Sequence, residues 1–174
     1  PRLFQKANGD RLKFWEAVVG GRSVGVPGTP ALMESAHKKW GRKAWKDLFV
    51  EAIDLAESGF AVSPRLAALV ANDANRLRQF SDTEAYFFRD GEPLPEGGRL
   101  TNLEYADVMR RMADEGARVI YSGDIAKAIV DTGRGAESNP GVISLADLQT
   151  YKVKERPAVC APFRGYQVCG MGPP

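Results

Sequence analysis

Apolar residues recur at three- and four-residue spacing along most of this chain, and the period shortens to two only near its end. Thr29 followed by Pro30 reads as an N-cap and a first-turn proline. Leu32, Met33, Ala36 and Trp40 then share one helical face, which predicts a helix running to about Gly41. The next stripe is Trp45, Leu48, Phe49, Ala52, Ile53 and Ala56; Lys46, Asp47, Glu51, Asp54 and Glu57 lie opposite, and Gly59 is placed to end the helix. Ser63 and Pro64 restart the pattern with Leu66, Val70, Ala74 and Leu77 inward, and a shorter helix follows Ser81.

The run "RDGEPLPEGGRL" from Arg89 to Leu100 holds too much Gly and Pro for a helix and predicts a loop or short hairpin. Thr101 with Glu104 three residues on has the pattern of a capping box, ahead of a buried face of Tyr105, Val108, Met109 and Met112. Ser122 and Gly133 bracket another helix with Ile125, Ala126 and Ile129 inward, and Ser144 caps a short one through Leu148. From Lys152 onward "VKERPAVCAPFRGYQVCGM" reads as two strands joined at "PFRGY".

The expected fold is therefore mostly α with a C-terminal β-hairpin. It divides into a lead-in segment with a Gly-rich turn (1–28), a helical region (29–150) and the hairpin (151–174). A lone two-stranded hairpin is marginal in water, so its strands are expected to join a sheet whose other strands lie outside this chain. The 174 residues suffice for one domain or a large piece of a bigger protein. Pro1 in place of an initiating Met, and the ending "CGMGPP", read as an internal fragment.

Lys and Arg number 24 against 22 Asp and Glu, a formal charge of +2, which gives no global field to argue for nucleic acid or an anionic membrane. The densest basic run, "HKKWGRKAWK" from His37 to Lys46, interleaves Trp40 and Trp45 with cations as some single-strand binders do. A solvated helix end with both rings packed inward is the expected reading. No stretch approaches the ~18 consecutive apolar residues of a membrane span.

No catalytic constellation emerges from the residues. His37 is the only histidine and reads as a boundary residue of its helix. One His and two Cys make none of the usual zinc spacings, so no metal site is expected. Glu51, Asp54 and Glu57 share a solvent face, and Arg110 and Arg111 read as surface charges. A two-residue turn at Arg164 and Gly165 would set Cys160 opposite Cys169, where a disulfide is conceivable. A type I turn at Phe163 and Arg164 with Gly165 as bulge residue would turn the two thiols to opposite faces. The second register is preferred, because a primed turn favours Asn or Gly at the Arg164 position, and it predicts two free, partly buried thiols.

The most glycine-dense run, "GGRSVGVPGTP" from Gly20 to Pro30, invites a phosphate-loop reading. Gly20 and Gly25 have the G-x-x-x-x-G spacing, but Val26 and Pro27 stand where such a loop needs Lys and Ser or Thr. No G-x-G-x-x-G can be drawn through it, so a structural turn is expected.

Longer blocks carry a family resemblance. "SVGVPGTPALMESAHKKWG" followed by "AWKDLFVEAIDLAESGFAVSPRLA" resembles the large subunit of the gamma-glutamyltranspeptidases, in which a V-P-G turn opens a helix ending near A-H-x-x-Y-G. The similarity continues through "IYSGDIAKAIV", "NPGVISLADLQTYKVKERP" and "FRGYQVCGMGPP". Trp40 stands where Tyr is usual, Lys43 and Ala44 replace Leu-Pro, Glu51 replaces a proline, and Leu32 holds a position often taken by glycine.

The resemblance implies part of an αββα N-terminal-nucleophile hydrolase, made as one precursor that cuts itself before a threonine. That threonine would attack the gamma-glutamyl amide with its own α-amine as base. The implied partners are the small subunit of the same precursor, glutathione or another gamma-glutamyl donor, and a water, amino-acid or peptide acceptor; no cofactor is implied. The nucleophile and oxyanion hole would lie beyond Pro174 and the carboxylate-binding arginine before Pro1, so no catalytic or substrate-binding residue is carried onto this chain. Cephalosporin acylases and poly-gamma-glutamate-processing enzymes share the fold, and bacterial relatives are commonly periplasmic or extracellular.

Overall fold

The computed structural model describes residues 2–172. In chain order the helices are α1 (Phe14–Val18), α2 (Thr29–Trp40), α3 (Val50–Ser58), α4 (Pro64–Asn72), α5 (Ala74–Leu77), α6 (Ser81–Phe87), α7 (Leu103–Glu115), α8 (Arg118–Tyr121), α9 (Gly123–Gly135) and α10 (Leu145–Gln149). The strands are β1 (Phe60–Ala61), β2 (Phe88–Arg89), β3 (Glu92–Pro93), β4 (Arg99–Leu100), β5 (Val159–Phe163) and β6 (Tyr166–Gly170), and 3-10 turns occupy Gly21–Ser23 and Trp45–Leu48. They fall into two compact units, one from Gly41 to Gly116 and one made of the residues up to Trp40 with those from Ala117 onward.

The Gly41–Gly116 unit is built on a core of Val62, Leu94 and Leu100, with Leu66, Ala67, Tyr86 and Phe87 packed against it. Two short antiparallel pairs frame this core: β1 with β4, where Phe60 faces Leu100, and β2 with β3 around an Asp90–Gly91 turn. Ser63 caps α4 as its sequence predicts, accepting from Leu66 N at 3.2 Å with Pro64 in the first turn. Gly59, at φ 78°, ends α3. The Trp45–Ala56 stripe is not one helix: a 3-10 turn carries Trp45 to Leu48 before α3 begins, and Leu48 is exposed. Trp45 stays half-buried, and its indole N–H donates to the Met112 carbonyl at 2.8 Å, tying that turn to α7. An Arg110–Glu57 ion pair joins α7 to α3.

The other unit has its core at Ala126, Val130, Ile143 and Leu148, with Val26, Tyr121 and Ile129 against it. Ser144 and Asp147 form a reciprocal capping box that starts α10. Serine's hydroxyl and backbone N–H both donate to the Asp147 carboxylate, which holds that carboxyl below its ordinary range.

Two expected caps sit one residue away from their predicted places. Asn102 rather than Thr101 caps α7, its side-chain oxygen accepting from Tyr105 N at 2.8 Å. Asn is at least as good a cap as Thr, and the Thr101 methyl group instead lies against the Gly59 turn. At α2 the Leu32 N–H donates to the Gly28 carbonyl, so Gly28 is the N-cap and Thr29 is already helical. Thr29→Ala is therefore expected to change stability by less than about 0.5 kcal/mol. Asn102→Ala should cost about 1 kcal/mol. Thermal melts of the two variants separate these values, and equal losses would return the cap to Thr29.

The predicted inward face of α2 is a second correction: Leu32 and Met33 are about half exposed and Trp40 is 76% exposed. Tyr105 of α7 is likewise exposed. Periodicity identifies an apolar face, but it does not say which surface covers it.

The terminal hairpin forms where the sequence places it, in the register the sequence reading disfavoured. Phe163 pairs with Tyr166 across a two-residue turn, and Cys160 faces Cys169. The two cysteines form a disulfide, so the expected free thiols are overturned. Arg164 (φ 47°) and Gly165 (φ 85°) are both left-handed, as a type I′ turn requires. A left-handed Arg costs about 1–2 kcal/mol. The match between a primed turn and strand twist, together with Gly in the second central position, offsets that cost.

Candidate functional site

The glycine-rich run is where the unit made of the residues up to Trp40 and from Ala117 onward closes on itself. After α1 the chain turns at Gly20 and Gly21, and the Arg22 N–H donates to the Asn139 carbonyl at 2.9 Å. The Asn139 side-chain amide donates back to the carbonyls of Val19 (3.0 Å) and Ala17 (3.2 Å). Asn139 reaches both because it is left-handed at φ 57°, a conformation its short polar side chain tolerates. The Gly141 N–H donates to Gly133 O at 2.7 Å. A Cβ on Gly21 would overlap the Gly133 carbonyl oxygen and come within 2.8 Å of Gly141 N, so three backbones meet where only glycine fits.

The V-P-G turn that follows is gripped by two tyrosines. The Tyr121 hydroxyl donates to the Pro27 carbonyl and accepts from Ala31 N at 3.1 Å. Gly28, as N-cap, has no side chain to receive that third-position N–H, and Tyr121 supplies the acceptor from a distant helix. Burial pushes the Tyr121 hydroxyl above its usual range. Tyr151 stacks on Tyr121 with centroids 5.8 Å apart, and its own hydroxyl fills the space a Cβ on Gly28 would need.

Three backbone donors in and just after the loop are taken by protein acceptors: Arg22 N–H by Asn139, Val24 N–H by Gly21 and Ala31 N–H by Tyr121. With the backbone of Gly21 packed against Gly133 and Gly141, this is the geometry of a packed turn. Tyr121, Asn139, Gly141 and Tyr151 were not singled out by the sequence reading, and Gly133, expected to end its helix, lies inside α9. The signal available was the N-P-G run just after a helix, which resembles a turn and gives no hint of the segment it receives.

The remaining candidates are dispersed. His37 is half-buried on α2. Lys39 pairs with Glu155, lies over the Trp40 ring, and Lys38 pairs with Glu34. Glu16, whose carboxyl accepts from Lys13 N–H and is held below its ordinary range, closes the start of α1. No group of three or more His, Cys, Asp or Glu side chains among the described residues is placed to hold a metal. In the Gly41–Gly116 unit, Ala52, Leu55, Phe60, Tyr86, Asn102 and Tyr105 line an open apolar groove of about 350 Å³. Its lining includes no carboxylate, histidine or cysteine, and the Asn102 oxygen is engaged in the α7 cap.

The arrangement matches solved proteins closely. Helicobacter pylori gamma-glutamyltranspeptidase superposes with a TM-score of 0.90 and 31% identity, over 99% of this chain and 49% of that one. The architecture is that of an N-terminal-nucleophile hydrolase. All of residues 1–174 match the gamma-glutamyltranspeptidase family, and the chain belongs to it. It is 32% identical to the glutathione hydrolase proenzyme of Bacillus subtilis (strain 168) over the whole chain and 29% of that protein. It is 33% identical to the Acylase ACY 1 proenzyme of Pseudomonas sp. (strain V22), over 91% of this chain and 28% of that protein. The chain therefore spans under a third of the length of these curated relatives.

Proposed function

We propose that this chain is part of the large subunit of an enzyme that hydrolyses glutathione and related gamma-glutamyl compounds, or transfers their gamma-glutamyl group. The observation that carries the reading is the match of every residue to the family, supported by relatives named glutathione hydrolase proenzyme. In this reading an N-terminal Thr on another segment attacks the gamma-glutamyl carbonyl. Its α-amine takes the hydroxyl proton, and backbone donors stabilise the tetrahedral oxyanion. A gamma-glutamyl ester then passes to water or to an amino-acid or peptide acceptor.

The work of this chain is to brace the sheets that carry those groups. Its hairpin extends the central sheet, and its helices offer surface to the small subunit. Export to the periplasm or the cell exterior goes with this reading; no helix among the described residues is long and apolar enough to cross a membrane.

A gamma-glutamyl p-nitroanilide assay tests both parts. The longer protein that contains this segment should release p-nitroaniline, and residues 1–174 alone should release none. Turnover by the 174-residue chain that survives purification overturns the placement of the chemistry elsewhere. An inactive longer protein that instead cleaves a glutaryl amide moves the substrate to the acylase side of the family, where the Pseudomonas relative stands.

A further inference from the structure

The loop that leads into α1 carries chemistry that the gamma-glutamyl reading does not use. Asn8–Gly9 is the only place in the sequence where an asparagine precedes a glycine. The loop around it is closed by its own backbone. Lys6 N–H donates to Asp10 O at 2.7 Å, Leu12 N–H donates to Phe4 O at 3.0 Å, and Gln5 bridges Arg11 in antiparallel register. A Lys6–Glu16 ion pair at 3.4 Å ties the loop to the first turn of α1.

Within that frame the Asn8 side chain turns back along the chain. Its Oδ1 accepts from Asp10 N–H at 3.1 Å, an Asx turn, and its Nδ2 donates to the Asp10 carboxylate at 2.8 Å. The ring closed by the first of these bonds contains both the Asn8 amide carbon and the Gly9 nitrogen. A backbone N–H on Oδ1 also stands where negative charge gathers when that carbon is attacked. Gly9, left-handed at φ 91°, has no Cβ to shield its nitrogen, and nothing lies within 4 Å of where one would be. Its N–H donates to Lys6 O at 2.9 Å, a bond that must open before the nitrogen reacts. The reacting groups and these partners all belong to residues 6–10, so the geometry is set inside the loop.

We propose that Asn8 is a self-modification site, at which the loop converts asparagine to isoaspartate and aspartate. Gly9 N gives up its proton to solvent and bonds to the Asn8 amide carbon. The bond from that carbon to Nδ2 breaks, Nδ2 takes a proton from solvent and leaves as ammonia, and a cyclic imide remains. Water then opens the imide. Attack at the backbone carbonyl leaves isoaspartate, and attack at the side-chain carbonyl leaves aspartate. The net change is a water consumed and an ammonia released. The aspartate product turns a second negative charge toward Asp10 in place of a hydrogen bond, and the isoaspartate product lengthens the backbone by a methylene, so either loosens the loop. The modification is independent of which gamma-glutamyl or acyl substrate the protein takes.

Peptide mapping of the longer protein that contains this segment, after incubation at neutral pH, tests the site. The peptide holding Asn8 should take up a negative charge as ammonia is released, read as a shift in mass and in ion-exchange elution, and its isoaspartate should accept enzymatic carboxyl methylation. The rate should rise with pH through the neutral range, because Gly9 N must lose its proton. Asn8→Gln should abolish the shift, since the longer side chain closes its ring far more slowly. Gly9→Ala, whose methyl group crowds the attacking nitrogen, should slow it. An Asn8 that stays intact in the folded protein while the urea-unfolded protein deamidates there would overturn the proposal. Isoaspartate that persists in this peptide of the Asn8→Gln variant would overturn it as well.

Discussion

Gly21→Ala should destabilise the unit closed by the glycine seam by at least about 3 kcal/mol, the upper range for forcing atoms into a packed interior. For a chain of this size that lowers the melting temperature by about 6–12 °C. The reason is local: the new methyl group would occupy the place of the Gly133 carbonyl oxygen. Rigid backbone of two segments, at Gly133 and Gly141, confronts it, and no flexible side chain is there to move away. Gly25→Ala, in the same glycine run, is the natural control. A Cβ there meets nothing within 4 Å, so the substitution should be neutral or stabilise by up to about 1 kcal/mol. Comparable melting temperatures for the two variants would show that the three backbones are not in contact.

Leu100→Ala is expected to cost about 2–5 kcal/mol, the range for truncating a fully buried leucine. Leu100 is 1% exposed and sits between Val62 and Leu94 with its strand paired to β1. Three residues on, Leu103 is 62% exposed, and Leu103→Ala should fall within about 0.5 kcal/mol of the unchanged protein. Urea unfolding followed by far-UV circular dichroism reads both as shifts in midpoint at unchanged slope. A loss for Leu103→Ala as large as that for Leu100→Ala would mean that the core has been placed on the wrong face of this segment.

Those two leucines show what the amino-acid pattern carries and what it leaves out. Helix positions were legible, because Ser63 with Pro64, Ser144 and Gly59 act through chemistry confined to a few neighbouring residues. The caps at Thr29 and Thr101 slipped by one residue because the deciding partner was distant or was a better neighbour. Tyr121 receives the Ala31 N–H from 90 residues away, and Asn102 displaces Thr101. The hairpin register was misread for a related reason. Local preference argues against a left-handed Arg164, but the pairing of ten residues across two strands outweighs one turn position.

The helical stripe of Leu32, Met33 and Trp40 was read correctly as apolar and wrongly as covered. The glycine-rich run was legible as a turn from its missing lysine. Its real neighbours, Gly133, Asn139 and Gly141, could not be found by scanning the run itself. The family resemblance, carried by ordered blocks along most of the chain, identified what no single side chain did.

The seam also bears on when the molecule can fold. Asn139 grips Val19 across a sequence separation of 120, whereas the Gly41–Gly116 unit is one uninterrupted run. At about 5–20 residues per second, a ribosome delivers the second half of the seam roughly 6–24 s after the first. In that interval the uninterrupted run can complete its own contacts. Residues 14–40 wait, with the Gly20–Gly21 turn still lacking Asn139 and the start of α2 still lacking Tyr121. A delay in synthesis between residues 116 and 141 thus prolongs the interval in which the amino-terminal helices lack the glycines and Asn139 that close the seam.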